Sequence, residues 1–311
     1  MMIHVLCLNP AIDKVYRIAG FSAGEDYPGQ RPEVYAGGKG VNVARVLSQL
    51  GTRVHLYAFL GETGGEFIRR EMASRCDCTF LPVPGACRTT VNVIDSATGR
   101  ETVITEAGPS ASRADADALI GALGRRVAHG DIVCCSGSLP SGLPMDMYAR
   151  VSRLCEQRGA LCALDCNAAT LPASIEGARY ALGKPNDREL CALLNVRRTR
   201  DADEIVALAR RVMPPYGTLL VSMGAAGGVW VDAGGTAYRA EAPDVRVIST
   251  VGSGDACFAG ALWALSQGWP ADKALRLAMA CGAANAMDAR PGYVDGALRT
   301  RLMERGTVHR I

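Results

Sequence analysis

Thr250-Val251-Gly252-Ser253-Gly254-Asp255 runs straight into an apolar stretch in which Phe258, Ala261, Leu262 and Leu265 recur at i, i+3, i+4 and i+7. That is the spacing of one helix face, so a glycine-rich turn opens a helix and sets a carboxylate in its first turn. The unpaired backbone N–H groups of such a turn, with the positive end of the helix dipole, make an anion site. A carboxylate beside bound phosphate would normally be repelled. Its presence fits a proton acceptor placed where an alcohol meets a phosphoryl group. The plain alternative is an N-capping Asp after a glycine turn. On this segment alone both readings stand.

Outward from the turn, strand-like and helix-like runs alternate. Ile3–Leu8, Arg53–Phe59, Asp131–Ser136, Leu161–Asp165, Thr218–Ser222 and Gly228–Asp232 read as strands. Helical stripes lie at Val43, Val46, Leu47 and Leu50, from about Pro144 to Arg158, at Ile205, Leu208, Ala209 and Val212, and at Ala274, Leu277, Ala278 and Cys281. The alternation predicts an α/β fold, a mostly parallel sheet with helices on both faces. Two segments break it. Ala11–Tyr35 is rich in Gly, Pro and charge, and Arg88–Glu106 reads as a hairpin turning at Ser96-Ala97-Thr98-Gly99. Without helix signals they are expected to form a small antiparallel sheet outside the main layer, serving as a lid. The division expected is a core of residues 1–10, 36–87 and 107–311 and a lid of residues 11–35 and 88–106.

The 311 residues carry a net charge of +3 with no basic block, which speaks against nucleic acid or an anionic membrane as the main partner. No apolar run is long enough to span a bilayer, and the N-terminus lacks the features of a signal peptide. Most of the twelve cysteines sit in apolar runs, as suits a reducing cytoplasm. Cys76, Cys78 and Cys87 fit no standard zinc spacing. With four scattered His and no serine elbow, hydrolase chemistry is poorly supported.

Ala36-Gly37-Gly38-Lys39-Gly40-Val41-Asn42 is a second glycine-rich helix entry, neither a Walker A loop nor a full dinucleotide fingerprint. Its glycines allow close backbone approach, Lys39 is a mobile cation, and Asn42 offers a donor and an acceptor. A bare helix entry needs no such pair, which favours a ligand site. Asp13, in Asn9-Pro10-Ala11-Ile12-Asp13 beyond the first strand, is placed either to hold sugar hydroxyls or simply to close a turn. In Gly183-Lys184-Pro185-Asn186-Asp187-Arg188-Glu189, Asn186 and Glu189 share a helical face. They could serve phosphate or metal-bound water, form a capping box, or both. Ser222-Met223-Gly224-Ala225-Ala226-Gly227-Gly228 is a small-residue turn that would admit a flat base or a phosphate chain, a weak signal by itself.

Together these segments resemble the ribokinase-like (PfkB) sugar kinases, and within them the 1-phosphofructokinase and tagatose-6-phosphate kinase branch. Gly61-Glu62-Thr63-Gly64, Gly137-Ser138-Leu139-Pro140 and Gly282-Ala283-Ala284-Asn285-Ala286 add to the likeness, which runs nearly end to end. The resemblance implies a ribokinase-like three-layer α/β/α core with a β-sheet lid, and ATP with Mg2+. It implies Asp255 as the base, and the N–H groups of Gly252, Ser253 and Gly254 as an anion hole. Asp13, Gly38, Lys39, Asn42 and the lid strand's Asn92 would hold the sugar. Lys184, Asn186, Ser222, Gly224, Gly227 and Asn285 would lie along the nucleotide, and Glu189 near the metal through water. A homodimer through the lid is also implied.

This chain departs from the pattern where the sugar is chosen. Thr90 and Ile94 stand where the branch carries Arg and Lys about the lid Asn, and Pro28 replaces a basic residue. Arg88, Arg100 or Arg31 could compensate. Cys166-Asn167 replaces the usual Ser-Gly after Asp165, a change expected to lie away from the chemistry. The expected activity is ATP-dependent phosphorylation of a phosphorylated ketohexose, with fructose 1-phosphate first and tagatose 6-phosphate or fructose 6-phosphate next. A kinase of a free sugar or nucleoside, or a non-catalytic sensor, are the alternatives. Intact base and anion-hole residues weigh against the sensor.

Overall fold

The alternation read from the sequence is the order of the chain. In the computed structural model, which describes residues 1–311, β1 (Ile3–Cys7) passes into β2 (Ala11–Ile18) and β3 (Glu33–Gly37), then α1 (Lys39–Gln49) and β4 (Val54–Thr63). Next come α2 (Gly65–Ala73), β5 (Asp77–Ala86), the hairpin of β6 (Arg88–Asp95) and β7 (Glu101–Thr105), and α3 (Arg113–Gly124). The middle of the chain holds β8 (Ile132–Ser136), α4 (Met147–Arg158), β9 (Leu161–Asp165), α5 (Leu171–Ile175), β10 (Leu182–Gly183), α6 (Asp187–Leu193) and α7 (Ala202–Val212). It ends with β11 (Thr218–Ser222), β12 (Gly228–Asp232), β13 (Ala237–Ala240), α8 (Ser253–Ser266), α9 (Ala271–Ala286), α10 (Gly296–Arg305) and β14 (Val308–Arg310).

The large sheet has the order β14-β13-β12-β11-β10-β9-β8-β1-β4-β5. From β5 to β11 every pair is parallel, and the last three strands are antiparallel. Helices cover both faces, so the central strands are apolar throughout and divide their side chains by parity. Ile3, Val5 and Cys7 pack with α1, α8 and α9, whereas Leu6 and Leu8 pack with residues of α3, α4 and α7. The result is a three-layer α/β/α ribokinase-like fold. No helix is long and apolar enough to cross a membrane.

A separate sheet has the order β3-β2-β6-β7. The expected all-antiparallel arrangement is corrected here: β2–β3 and β6–β7 are antiparallel, but β2 and β6 run parallel, from Ala11 opposite Arg88 to Ile18 opposite Asp95. The large sheet supplies the reason. β2 continues from the end of β1 and β6 from the end of β5, and β1 and β5 point the same way, so both leave one edge in one direction. β5 itself gave no strand signal, because Pro82 and Pro84 interrupt it; as an edge strand it tolerates them. β10 is short, only Leu182–Gly183, with an isolated bridge at Tyr180 just before it.

Candidate active site

The carboxyl ends of the parallel strands gather the polar residues that the core excludes. Asp165 is the last residue of β9 and Lys184 follows β10, so neighbouring strands deliver opposite charges to one spot. The Asp165 side chain is fully buried, 2.8 Å from Lys39 Nζ and 3.1 Å from Lys184 Nζ. Lys39 Nζ also lies 3.6 Å from Glu189 Oε1. Burial alone would raise the Asp165 carboxyl, but the two ammonium groups outweigh it and hold the acid below its ordinary range. Burial works against the charge on Lys39, yet Asp165, Glu189 and Asp255 keep that amine protonated. Asp165 therefore fixes two cations in place before any ligand arrives.

Asp255 faces this cluster from the first turn of α8, almost fully buried. Asn42 Nδ2 donates to its Oδ2 at 2.8 Å. Burial raises the Asp255 pKa and Asp165 adds to the rise; Lys39, the Asn42 amide and Lys184 oppose it, and the balance falls at about 7. A carboxylate poised near neutrality is what a general base requires. It is no N-cap: Gly252 holds that position, in the left-handed region at φ 81°, and no side chain caps the helix. A Cβ on Gly252 would meet Gly292 N at 2.8 Å, so glycine is required twice over. The Ser253 N–H closes on the Thr250 carbonyl at 3.2 Å, whereas those of Gly252, Gly254 and Asp255 have no partner within the chain. Of the expected set of 252, 253 and 254, Gly252 and Gly254 keep free N–H groups, and that of Asp255 stands free in place of Ser253.

The Gly-Gly-Lys-Gly turn is as tight as its composition implied. Gly38 caps α1 at φ 101°, and a Cβ on Gly37 would lie 1.9 Å from Asp13 Oδ2. Asp13 is buried on β2 and faces Thr90. Burial raises its pKa; the Thr90 hydrogen bond and nearby Arg88 lower it, leaving it at about 6. Asn92 shares that sheet face two residues on. It is 2% exposed, and neither end of its amide has a partner. A buried amide without partners costs a few kcal/mol, so this position fits a ligand hydroxyl.

Other expected residues fall differently. Asn285 spends both amide hydrogens within the chain. Its Nδ2 donates to Val251 O at 2.9 Å and Ser253 Oγ at 3.1 Å, and its Oδ1 accepts from Gly292 N at 2.7 Å, so it braces the turn. Asn186 and Glu189 form the full capping box of α6, at 2.9 Å in both directions. That leaves Glu189 Oε1 facing Lys39. Ser222 ends β11 and donates its N–H to Pro185 O; Gly224 lies in the following turn. Gly227 has a packing reason, since a Cβ there would meet Ala240 O at 2.0 Å. Arg88 Nε is spent on the Asn9 carbonyl at 3.1 Å. Arg100 lies exposed beyond the hairpin turn and Arg31 is exposed before β3, and neither side chain forms an ion pair. Cys166, expected to lie apart from the chemistry, directly follows Asp165 and is buried there.

Sequence reasoning missed two residues. Asp165 could have been found, as the one acid ending an apolar parallel strand. Arg45 could have been found as a charge between Ala44 and Val46 in an apolar run. Its side chain is fully buried: Nη1 donates to Asn42 Oδ1 at 3.0 Å and Pro291 O at 2.9 Å, and Nη2 to Glu71 Oε1 at 2.7 Å. It thus orients the amide that holds Asp255.

Known proteins share this architecture. A tagatose-6-phosphate kinase of Staphylococcus epidermidis is 31% identical over 297 residues, covering 94% of this chain and 95% of that protein. Phosphofructokinase-2 of Escherichia coli in complex with fructose-6-phosphate superposes with a TM-score of 0.87 at 22% identity, covering 98% of both chains. The tetrameric inhibited form of the same enzyme gives 0.89, again at 22% identity and 98% of both chains. The pattern of the pfkB family of carbohydrate kinases matches residues 4–291, and the chain belongs to that family.

Proposed function

We propose that the chain transfers the γ-phosphoryl group of ATP to a hydroxyl of a phosphorylated ketohexose, fructose 1-phosphate first, yielding fructose 1,6-bisphosphate. Tagatose 6-phosphate, the substrate named for the Staphylococcus relative, and fructose 6-phosphate are the next acceptors. The observation that carries this reading is the buried Asp255, with a pKa of about 7, beside two fixed ammonium groups and an uncapped helix turn. Asp255 takes the hydroxyl proton. Free turn amides, with Lys184 beside Gly254, receive charge on the phosphoryl oxygens. Asp13, Gly38, Asn42 and the unpartnered Asn92 hold the sugar, with Lys39 between it and the phosphates. Asn186, Ser222, Gly224 and Gly227 border the nucleotide.

The donor set fits a hydrated Mg2+. Glu189 keeps one carboxylate oxygen outside its cap, and hard oxygen donors are what that ion takes, through water as a rule. When bound, the ion would neutralise phosphate charge.

One observation favours a second reading, a free sugar as acceptor. Arg88 spends its Nε on a carbonyl, the Arg100 and Arg31 side chains are exposed with no ion pair, and Lys39 is held by carboxylates. Few cations remain for a sugar phosphate. An ADP-release assay over phosphorylated and free sugars separates the two readings. Fructose 1-phosphate is expected to give the highest kcat/KM, and turnover confined to free sugars would overturn the substrate assignment.

We also assign the small sheet to self-association. Val103 and Ile104 on its edge strand β7 are 51% and 60% exposed, and Val34 on the other edge strand is 39% exposed. Light scattering is expected to give the mass of a dimer or a multiple of it, and a monomer at assay concentration would contradict this.

A further inference from the structure

The hairpin of β6 and β7 joins the large sheet only at its base, near Arg88 and Thr105. Near its tip, Glu101 lies about 13 Å along β7 from Thr105, at ~3.3 Å per residue over four residues. There Glu101, the first residue of β7, meets the segment that leads into the Gly252 turn. Its Oε1 accepts from Ser249 Oγ at 2.9 Å and from Thr250 N–H at 3.1 Å, and its Oε2 accepts from Thr250 Oγ1 at 2.6 Å. Three donors converge on one carboxylate, and Ser249 beneath it is 4% exposed. Ser249 Oγ in turn accepts from Val251 N–H at 3.3 Å, and Thr250 O accepts the Ser253 N–H that shapes the turn. Cross-strand register puts Glu101 opposite Ile94, on the sheet face that carries Asp13 and Asn92. The face that meets the sugar is therefore fastened, at its free end, to the turn that meets the phosphoryl group.

We propose that Glu101 is a positioning residue, a latch that makes closure of the small sheet and assembly of the Gly252–Asp255 turn one event. This rests on reading that turn as the phosphoryl site and the small sheet as the sugar's cover. A latched sheet excludes water while the phosphoryl group is in flight. Unlatched, the site would admit water as acceptor: ATP and water would give ADP, phosphate and a proton, with no sugar phosphorylated.

The test compares wild type, Glu101→Gln, Glu101→Ala and Asp255→Asn, using ATP and the best acceptor from the sugar panel. Glu101→Ala is expected to raise the sugar KM roughly ten- to a hundredfold, the loss of charged hydrogen bonds, with ATP KM little changed. Its share of ATP spent on water should rise several-fold, and Glu101→Gln, which keeps one acceptor oxygen, should fall between. Hydrogen exchange at the Thr250 amide should quicken in Glu101→Ala and not in wild type. A wild-type share of ATP hydrolysis with unchanged Thr250 exchange would overturn the latch. Full turnover in Asp255→Asn would instead overturn the reading of the turn, and the exchange measurement would still decide the latch.

Discussion

Asp255→Asn is expected to lower kcat by about 10²–10⁴-fold, the range that one positioned general base contributes, with ATP and sugar binding nearly unchanged. The substitution is close to isosteric, and the new amide oxygen can still accept from Asn42 Nδ2, which reaches the native carboxylate at 2.8 Å. What disappears is the capacity to take a proton. Turnover within a few-fold of wild type would remove Asp255 as the base and leave it a buried structural acid. Titration calorimetry with ATP and with sugar distinguishes lost chemistry from lost binding.

Asp165→Asn carries the second large effect, on two observables. The native carboxylate lies, fully buried, within 3.1 Å of two ammonium groups. Neutralising it strands those cations, and breaking a buried ionic pair in this way costs about 3–5 kcal/mol of stability. Urea unfolding measures that loss. The second observable is the Asp255 pKa, which Asp165 raises and which Lys39 and Lys184 lower. Without Asp165 only the lowering charges remain, so the acid limb of the kcat/KM profile should move to lower pH. A limb unmoved in a variant of unchanged stability would contradict the coupling of the two acids.

Much of this was legible in the chain because it depends on local constraints. The Gly38 and Gly252 turns need left-handed backbone, and the apolar periods around them fix helices. The Asn186–Glu189 capping box is a four-residue pattern, and it forms as read. Residues whose roles depend on distant partners were harder. Asp165 matters because two strands and a helix bring it Lys39 and Lys184, at separations of 126 residues for Lys39 and 19 for Lys184. Asn285 was expected along the nucleotide, and its bracing of Val251, Ser253 and Gly292 depends on α9 packing directly against α8. The parallel β2–β6 pairing followed from the directions of β1 and β5, which no local signal encodes.

The most direct test is the pH dependence of kcat/KM in wild type and in Asp255→Asn on the same acceptor. Burial sets the Asp255 pKa at about 7, and only the deprotonated form accepts a proton. Wild-type kcat/KM should therefore be level above about pH 7 and fall about tenfold per unit below it, and the residual activity of Asp255→Asn should lack that limb. The same limb in both proteins would contradict the assignment of Asp255 as the base.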